Sequence, residues 1–109
     1  MKNLIIVLIV IITGLNTLTG TASYYSNKFH GRLTASGKKY NRHKLTAASN
    51  SFELGDSVKV VNLYNKKEVV VVVNDRMAEN NRLIDLSYAA ADSLDFIEKG
   101  ITKVKVSKI

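Results

Sequence analysis

Two stretches of strand-like patterning face each other across a short polar turn. In Ser57-Val58-Lys59-Val60-Val61-Asn62-Leu63, the set Val58, Val60 and Asn62 alternates with Lys59, Val61 and Leu63, which suits a mostly buried strand. Tyr64-Asn65-Lys66-Lys67 then turns the chain, with Asn65 the residue best suited to a positive φ. The chain returns over Glu68 to Asn74 through five consecutive valines, which are stiff at χ1 and favour an extended, buried strand. These two runs form the clearest hairpin in the sequence. Ile101 to Ser107 alternates strictly and predicts a last strand with Val104 and Val106 inward and lysines outward. Shorter strands are expected at Thr21 to Tyr25, Leu45 to Ala48 and Arg82 to Leu86. In the first of these, one of Tyr24 and Tyr25 should face the core and the other the surface. Ser87 is placed to cap a short helix over Tyr88 to Leu94. Six or so short strands with a single helix predict a mainly β fold, a small barrel.

The N-terminus follows a different pattern. Lys2 precedes an unbroken apolar run from Leu4 to Ile12, extended after Thr13 and Gly14 by Leu15. A charged start and a short apolar segment have the form of a signal peptide. At ~1.5 Å per helical residue the run is too short to cross a ~30 Å hydrocarbon core. Residues 1–20 are therefore expected to be a signal peptide cut near Thr19 or Gly20, with an uncleaved anchor as the alternative. Residues 21–109 form the expected domain, and a periplasmic or secreted location follows.

The 109 residues hold one small domain, with no internal repeat and no linker. Sixteen Lys and Arg against nine Asp and Glu give a net charge of +7, a field that attracts polyanions. There is no Trp and no block of basic residues interleaved with aromatics, which argues against nucleic acid as a partner. The absence of Cys excludes a disulfide framework, a cysteine zinc site and a thioether lipid anchor. His30 and His43 are the two histidines and lack metal-ligand spacing, so no metal and no cofactor are expected. A monomer is expected.

The candidate chemistry sits where the valine run ends in Asn74-Asp75-Arg76, ten residues before Asp85. An acid at the mouth of an apolar framework is a setting for a functional carboxylate. The alternative is that Asp75 and Arg76 close the strand and pair with one another. Phe29-His30-Gly31 offers an aromatic and an imidazole in a loop, Thr34-Ala35-Ser36-Gly37 is a turn of small residues, and Lys38 to Lys44 is a basic loop whose default is a solvated surface.

Taken in order, Gly20-Thr21-Ala22-Ser23-Tyr24-Tyr25, Phe29-His30-Gly31, Thr34-Ala35-Ser36-Gly37, Leu45-Thr46-Ala47-Ala48, Val58 to Asn62, Val71 to Arg76 and Ile84-Asp85-Leu86-Ser87 through Ala90 resemble the RlpA-like domain of bacterial peptidoglycan lytic transglycosylases. The resemblance covers residues 21–109. It implies a six-stranded double-psi β-barrel with one short helix. It also implies peptidoglycan glycan strands as substrate, and cleavage that forms 1,6-anhydro-muramic ends in wall remodelling or septation. By resemblance Asp75 is the catalytic aspartate and Asp85 its partner. Tyr24, Tyr25, Phe29, His30, Asn41, Ser49 and Arg76 are the expected substrate contacts. Lys38, Asn41 and Ser49 stand where the family pattern has Glu, Asp and His. A second reading stays open on that account, a non-catalytic, expansin-like wall-binding module.

Overall fold

The structure is a computed structural model, and it describes residues 16–78 and 81–109. The apolar run from Leu4 to Leu15, expected to act as part of a leader, lies outside the described residues. Six strands close into a barrel: β1 (Thr17–Tyr24), β2 (Thr46–Ala48), β3 (Ser57–Asn62), β4 (Glu68–Asp75), β5 (Ile84–Leu86) and β6 (Thr102–Lys108). Their order around the barrel is β1-β5-β2-β4-β3-β6, with β1 parallel to β5, β2 parallel to β4, and the other neighbours antiparallel. Closure leaves no free sheet edge, which suits a small domain without disulfides.

The interior is filled by small and branched side chains. Ala22, Ala47, Val58, Val60, Val71, Val73, Ile84, Leu86, Val104 and Val106 are all buried inside the ring. A short helix, α1 (Tyr88–Ser93), packs Ala90 and Ala91 against this core, together with Leu94, Phe52 and Phe96. Ser87 caps α1 as expected, its hydroxyl accepting from the Ala90 N–H. Asn62, also inward, is buried without being orphaned. Its amide donates to the Leu94 carbonyl and accepts from the Thr102 hydroxyl, so the polar side chain ties β3 to β6 and to the end of α1.

Several expectations need adjusting. The valine run is buried on one face only. Val71 and Val73 are within the core, while Val70 is 46% and Val72 40% exposed. A single-layer barrel has an outer face in solvent, and β-branched residues are tolerated there because they suit the extended backbone. In the β3–β4 turn, the positive φ falls on Lys66 and not on Asn65. Asn65 has another use: its side chain accepts from the Lys67 N–H and donates to the Leu94 carbonyl.

The first strand also starts earlier than the strand expected over Thr21 to Tyr25, at Thr17. Thr17 to Ala22 pair continuously with Ser107 back to Thr102. Leu18 packs on the core, and Gly20 lies so close to Leu83 that an added Cβ would sit 2.8 Å from that residue's Cβ. Gly20→Ala is expected to cost ~1–3 kcal/mol through overpacking, read as a lower urea midpoint with an unchanged m-value. A protein beginning at Thr21 is expected to unfold at lower urea than one beginning at Asn16, because β6 then loses its partner from Val104 to Ser107. Equal midpoints would show that the first half of β1 contributes nothing.

Candidate active site

The site is built from a row of four paired residues on adjacent strands. Ser23 of β1 is opposite Asp85 of β5, Asp85 is opposite Ala48 of β2, and Ala48 is opposite Asp75 of β4. Residues opposed across a ladder present their side chains on the same face. Asp85 lies between the core residues Ile84 and Leu86, so this shared face is the outside of the barrel. Asp75 reaches that face through a break in register. Ala47 pairs with Val73 but Ala48 pairs with Asp75, which leaves Asn74 as the extra residue of a β-bulge. Strict alternation would have sent Asp75 inward after Val71 and Val73. At ~4.8 Å per strand, two strand steps set the two aspartate backbones about 10 Å apart, with the methyl of Ala48 as the floor between them.

The Asp75 carboxylate is held by three donors. The Tyr25 hydroxyl donates to Oδ2 at 2.6 Å, and the backbone N–H groups of Ala35 (2.8 Å) and Arg76 (2.9 Å) donate to Oδ1. The small-residue turn thus supplies a backbone donor, a role its sequence did not show. Asp85 is held differently. It accepts from the Ser23 hydroxyl and forms an ion pair at 3.4 Å with Arg82, whose guanidinium also donates to the Ser23 hydroxyl at 2.7 Å. Ser23 and Arg82 are site residues that sequence reasoning missed. Ser23 was recoverable from parity with Ala22, and Arg82 from its place three residues before Asp85.

Aromatic rings support the carboxylate. Tyr25 stacks on Tyr40 with ring centroids 4.2 Å apart and planes 12° from parallel. Phe29 meets Tyr25 edge-on at 6.0 Å, with Lys28 and Arg32 near its faces. Tyr40, read from sequence as part of a solvated basic loop, is 3% exposed and accepts from the Tyr88 N–H. The Tyr25 hydroxyl is pushed well above the ordinary tyrosine range, chiefly by burial and further by its bond to, and the charge of, Asp75. Tyr40 is raised by burial, partly offset by its bond from the Tyr88 backbone and by Arg42. Tyr25 therefore stays a neutral hydrogen-bond donor to Asp75 at every physiological pH.

Of the expected substrate contacts, Tyr24, Tyr25, Phe29 and Arg76 line one groove of about 700 Å³ with Asp75 and Asp85. Tyr24 is chiefly structural: its hydroxyl donates to the Ile97 carbonyl and its ring meets Tyr88 and Phe96. The Arg76 guanidinium does not pair with Asp75. It donates to the carbonyls of Ser49 (2.6 Å) and Phe52, clasping the loop after β2. Ser49 is fully buried, donates to the Leu83 carbonyl and accepts from the Ser51 N–H, so it does not face the groove. His30, Lys38 and Asn41 line a second cleft of about 600 Å³. The wall between the two is the Leu33 to Lys39 hairpin, pinned across the end of β4 by the Ala35 bond to Asp75 and by the Ser36 N–H donating to the Asn74 carbonyl. No group of three or more His, Cys, Asp or Glu placed to hold a metal ion occurs among the described residues.

Residues 17–106 match a family described as lytic transglycolase. The chain is 47% identical over 93 residues to the endolytic peptidoglycan transglycosylase RlpA of Pseudomonas aeruginosa, covering 84% of this chain and 27% of that protein. It is 44% identical over 94 residues to the protein of the same description from Neisseria meningitidis, covering 85% and 39%. It therefore spans well under half the length of these curated relatives. Among solved structures, a Streptomyces papain inhibitor has a TM-score of 0.68 at 25% identity, covering 85% of this chain and 94% of that one. A Clavibacter michiganensis expansin has a TM-score of 0.68 at 21% identity, covering 85% and 50%, a likeness of fold.

The raised Tyr25 hydroxyl has a consequence for stability. Unfolded, the phenol ionises near the ordinary tyrosine value of 10.0; folded, it keeps its proton to higher pH. The unfolded state then binds fewer protons, so stability falls as pH rises above about 10. Tyr25→Phe is expected to flatten that alkaline loss, measured by urea unfolding between neutral pH and pH 11. An unchanged slope would mean that Tyr25 is not held as described.

Proposed function

The chain belongs to the RlpA-like lytic transglycosylase family, and from that premise we propose that it cleaves peptidoglycan glycan strands, leaving 1,6-anhydro-muramic ends. In this reaction the bond from the anomeric carbon to the leaving sugar oxygen breaks, and that oxygen takes a proton. The 6-hydroxyl of the same muramic ring then bonds to the anomeric carbon and gives up its proton, so no water is consumed. One carboxyl group can donate the first proton and accept the second. Asp75 takes this role. Asp85, anchored by Arg82 and Ser23, supplies negative charge near the developing oxocarbenium centre.

The observation that carries the reading is the Asp75 carboxylate itself. It is gripped by three donors at the foot of an aromatic-lined groove, a preorganised position reached only because of the bulge. Tyr25 and Phe29 give flat apolar surface for sugar rings. Lys28 and Arg32 line the same groove and suit an anionic polymer. Export to the wall, through an N-terminal signal peptide, belongs to this reading.

A second reading, a wall-binding module that does not cut, has one observation in its favour. Lys38 and Asn41 line the other cleft and Ser49 is buried, so Asp75 and the Arg82-paired Asp85 are the acids that line the groove. Incubating residues 16–109 with sacculi and with peptide-free glycan strands separates the two. Release of anhydro-muropeptides, seen by mass spectrometry and reduced about 100-fold or more in Asp75→Asn, is the expected result. Pelleting with sacculi without release would leave the binding module.

A further inference from the structure

The cleft beyond the Leu33 to Lys39 hairpin has an electrostatic character of its own. Its lining includes Lys38, Lys39 and Lys44 with His30, Tyr40 and Asn41, and no Asp or Glu. The acid groove is mixed, with Asp75 and Asp85 among four cationic side chains. The three ion pairs among the described residues use Lys67, Arg82 and Lys108. Lys38, Lys39 and Lys44 therefore face the cleft without a carboxylate partner among the described residues.

Their backbones are held firmly. The Thr34 N–H and hydroxyl both donate to the Lys38 carbonyl, and Gly37, at φ +87°, closes the turn. The hairpin continues through Gly31 N–H to the Tyr40 carbonyl at 2.8 Å and Tyr40 N–H to the Arg32 carbonyl at 2.7 Å. Lys44 leaves a turn fixed by its own N–H to the Asn41 carbonyl and by the Asn41 side chain accepting from the His43 N–H. That turn is tied to α1 through the Ala89 N–H donating to the Arg42 carbonyl, and Arg42 lies over the Tyr88 ring at 4.2 Å. Three lysines on two anchored turns converge on one concave surface, and Tyr40 borders both it and the acid groove.

We infer that this cleft is a subsite for carboxylate groups on the glycan strand whose backbone lies at Asp75, and that Lys38, Lys39 and Lys44 select for strands bearing them. The inference rests on the glycan reading of the acid groove. Such carboxylates have two sources, the lactyl group of a peptide-free muramic sugar and the stem peptide of a substituted one. Both present the same chemistry to an ammonium group.

The test measures binding, so that it does not depend on cleavage. Residues 16–109 carrying Asp75→Asn are titrated calorimetrically with soluble glycan strands at low ionic strength. The strands are peptide-free or peptide-bearing, each either untreated or with carboxylates converted to methylamides. Tighter binding of an untreated strand than of its amidated form is expected, and the arm showing it identifies the source. Lys38→Gln/Lys39→Gln/Lys44→Gln is expected to remove that preference, weakening binding of untreated strands about three- to thirtyfold for three exposed charge contacts. The same charge change at Lys59, Lys66 and Lys105 should leave it in place. Equal affinity for untreated and amidated strands, or equal loss in both triple variants, overturns the inference. Absence of anhydro-muropeptide release by the wild-type chain, with the preference intact, would remove the cleavage reading and leave the subsite standing.

Discussion

One inserted residue governs this molecule. Asn74 bulges out of the ladder between β2 and β4, and Asp75 beyond it falls on the opposite face from the one strict alternation would give it. Before the bulge the strand feeds valines to the core. After it, the strand delivers a carboxylate to the outer surface, beside Asp85 and across the small Ala48. A larger residue at 48 would stand between the two acids, and a strand without the bulge would bury an aspartate in an apolar interior at a cost of several kcal/mol. The outward position of the Asp75 carboxylate and the integrity of the core thus depend on the same irregularity.

Around that point three hydrogen-bond donors converge on a single carboxyl group. The Tyr25 hydroxyl and two backbone N–H groups fix both oxygens of Asp75. Tyr40 backs Tyr25, and the Tyr88 N–H fixes Tyr40 in turn. The chain of support runs from α1 through the buried Tyr40 and the half-buried Tyr25 to the carboxylate. Arg76, next in sequence, points away and holds the loop after β2, so the strongest local cation organises backbone and leaves Asp75 to its neutral donors.

Much of the barrel was legible because strand periodicity is a local signal. The β3–β4 hairpin, the alternation of β6 and the Ser87 cap each follow from a few adjacent residues. Asp75 and Asp85 were legible as acids at strand positions, and the ordered motifs resembled a family with a barrel fold. What was not legible depends on pairing between distant strands. The register that sets Ala48 between two aspartates, the burial of Ser49 under Leu83 and the diversion of Arg76 to carbonyls are long-range events. Tyr40 was hidden for a related reason: surrounded by Lys, Arg and His, it looked like a surface residue, although a hairpin folds it beneath Tyr25. The valines at 70 and 72 misled in the opposite sense, since apolar character alone does not say how many layers a sheet has.

The ladder between β1 and β6 has a temporal meaning as well. Thr17 is opposite Ser107, and Ala22 is opposite Thr102, so the ring closes only when the first and last strands meet. Contacts of such sequence separation form late and slowly compared with a local hairpin. A chain emerging from its N-terminal end can assemble the β3–β4 hairpin early, yet it cannot complete the barrel until β6 has appeared. The groove at Asp75, walled by residues of β1, β2, β4 and β5, therefore takes its final shape only when the first and last strands pair.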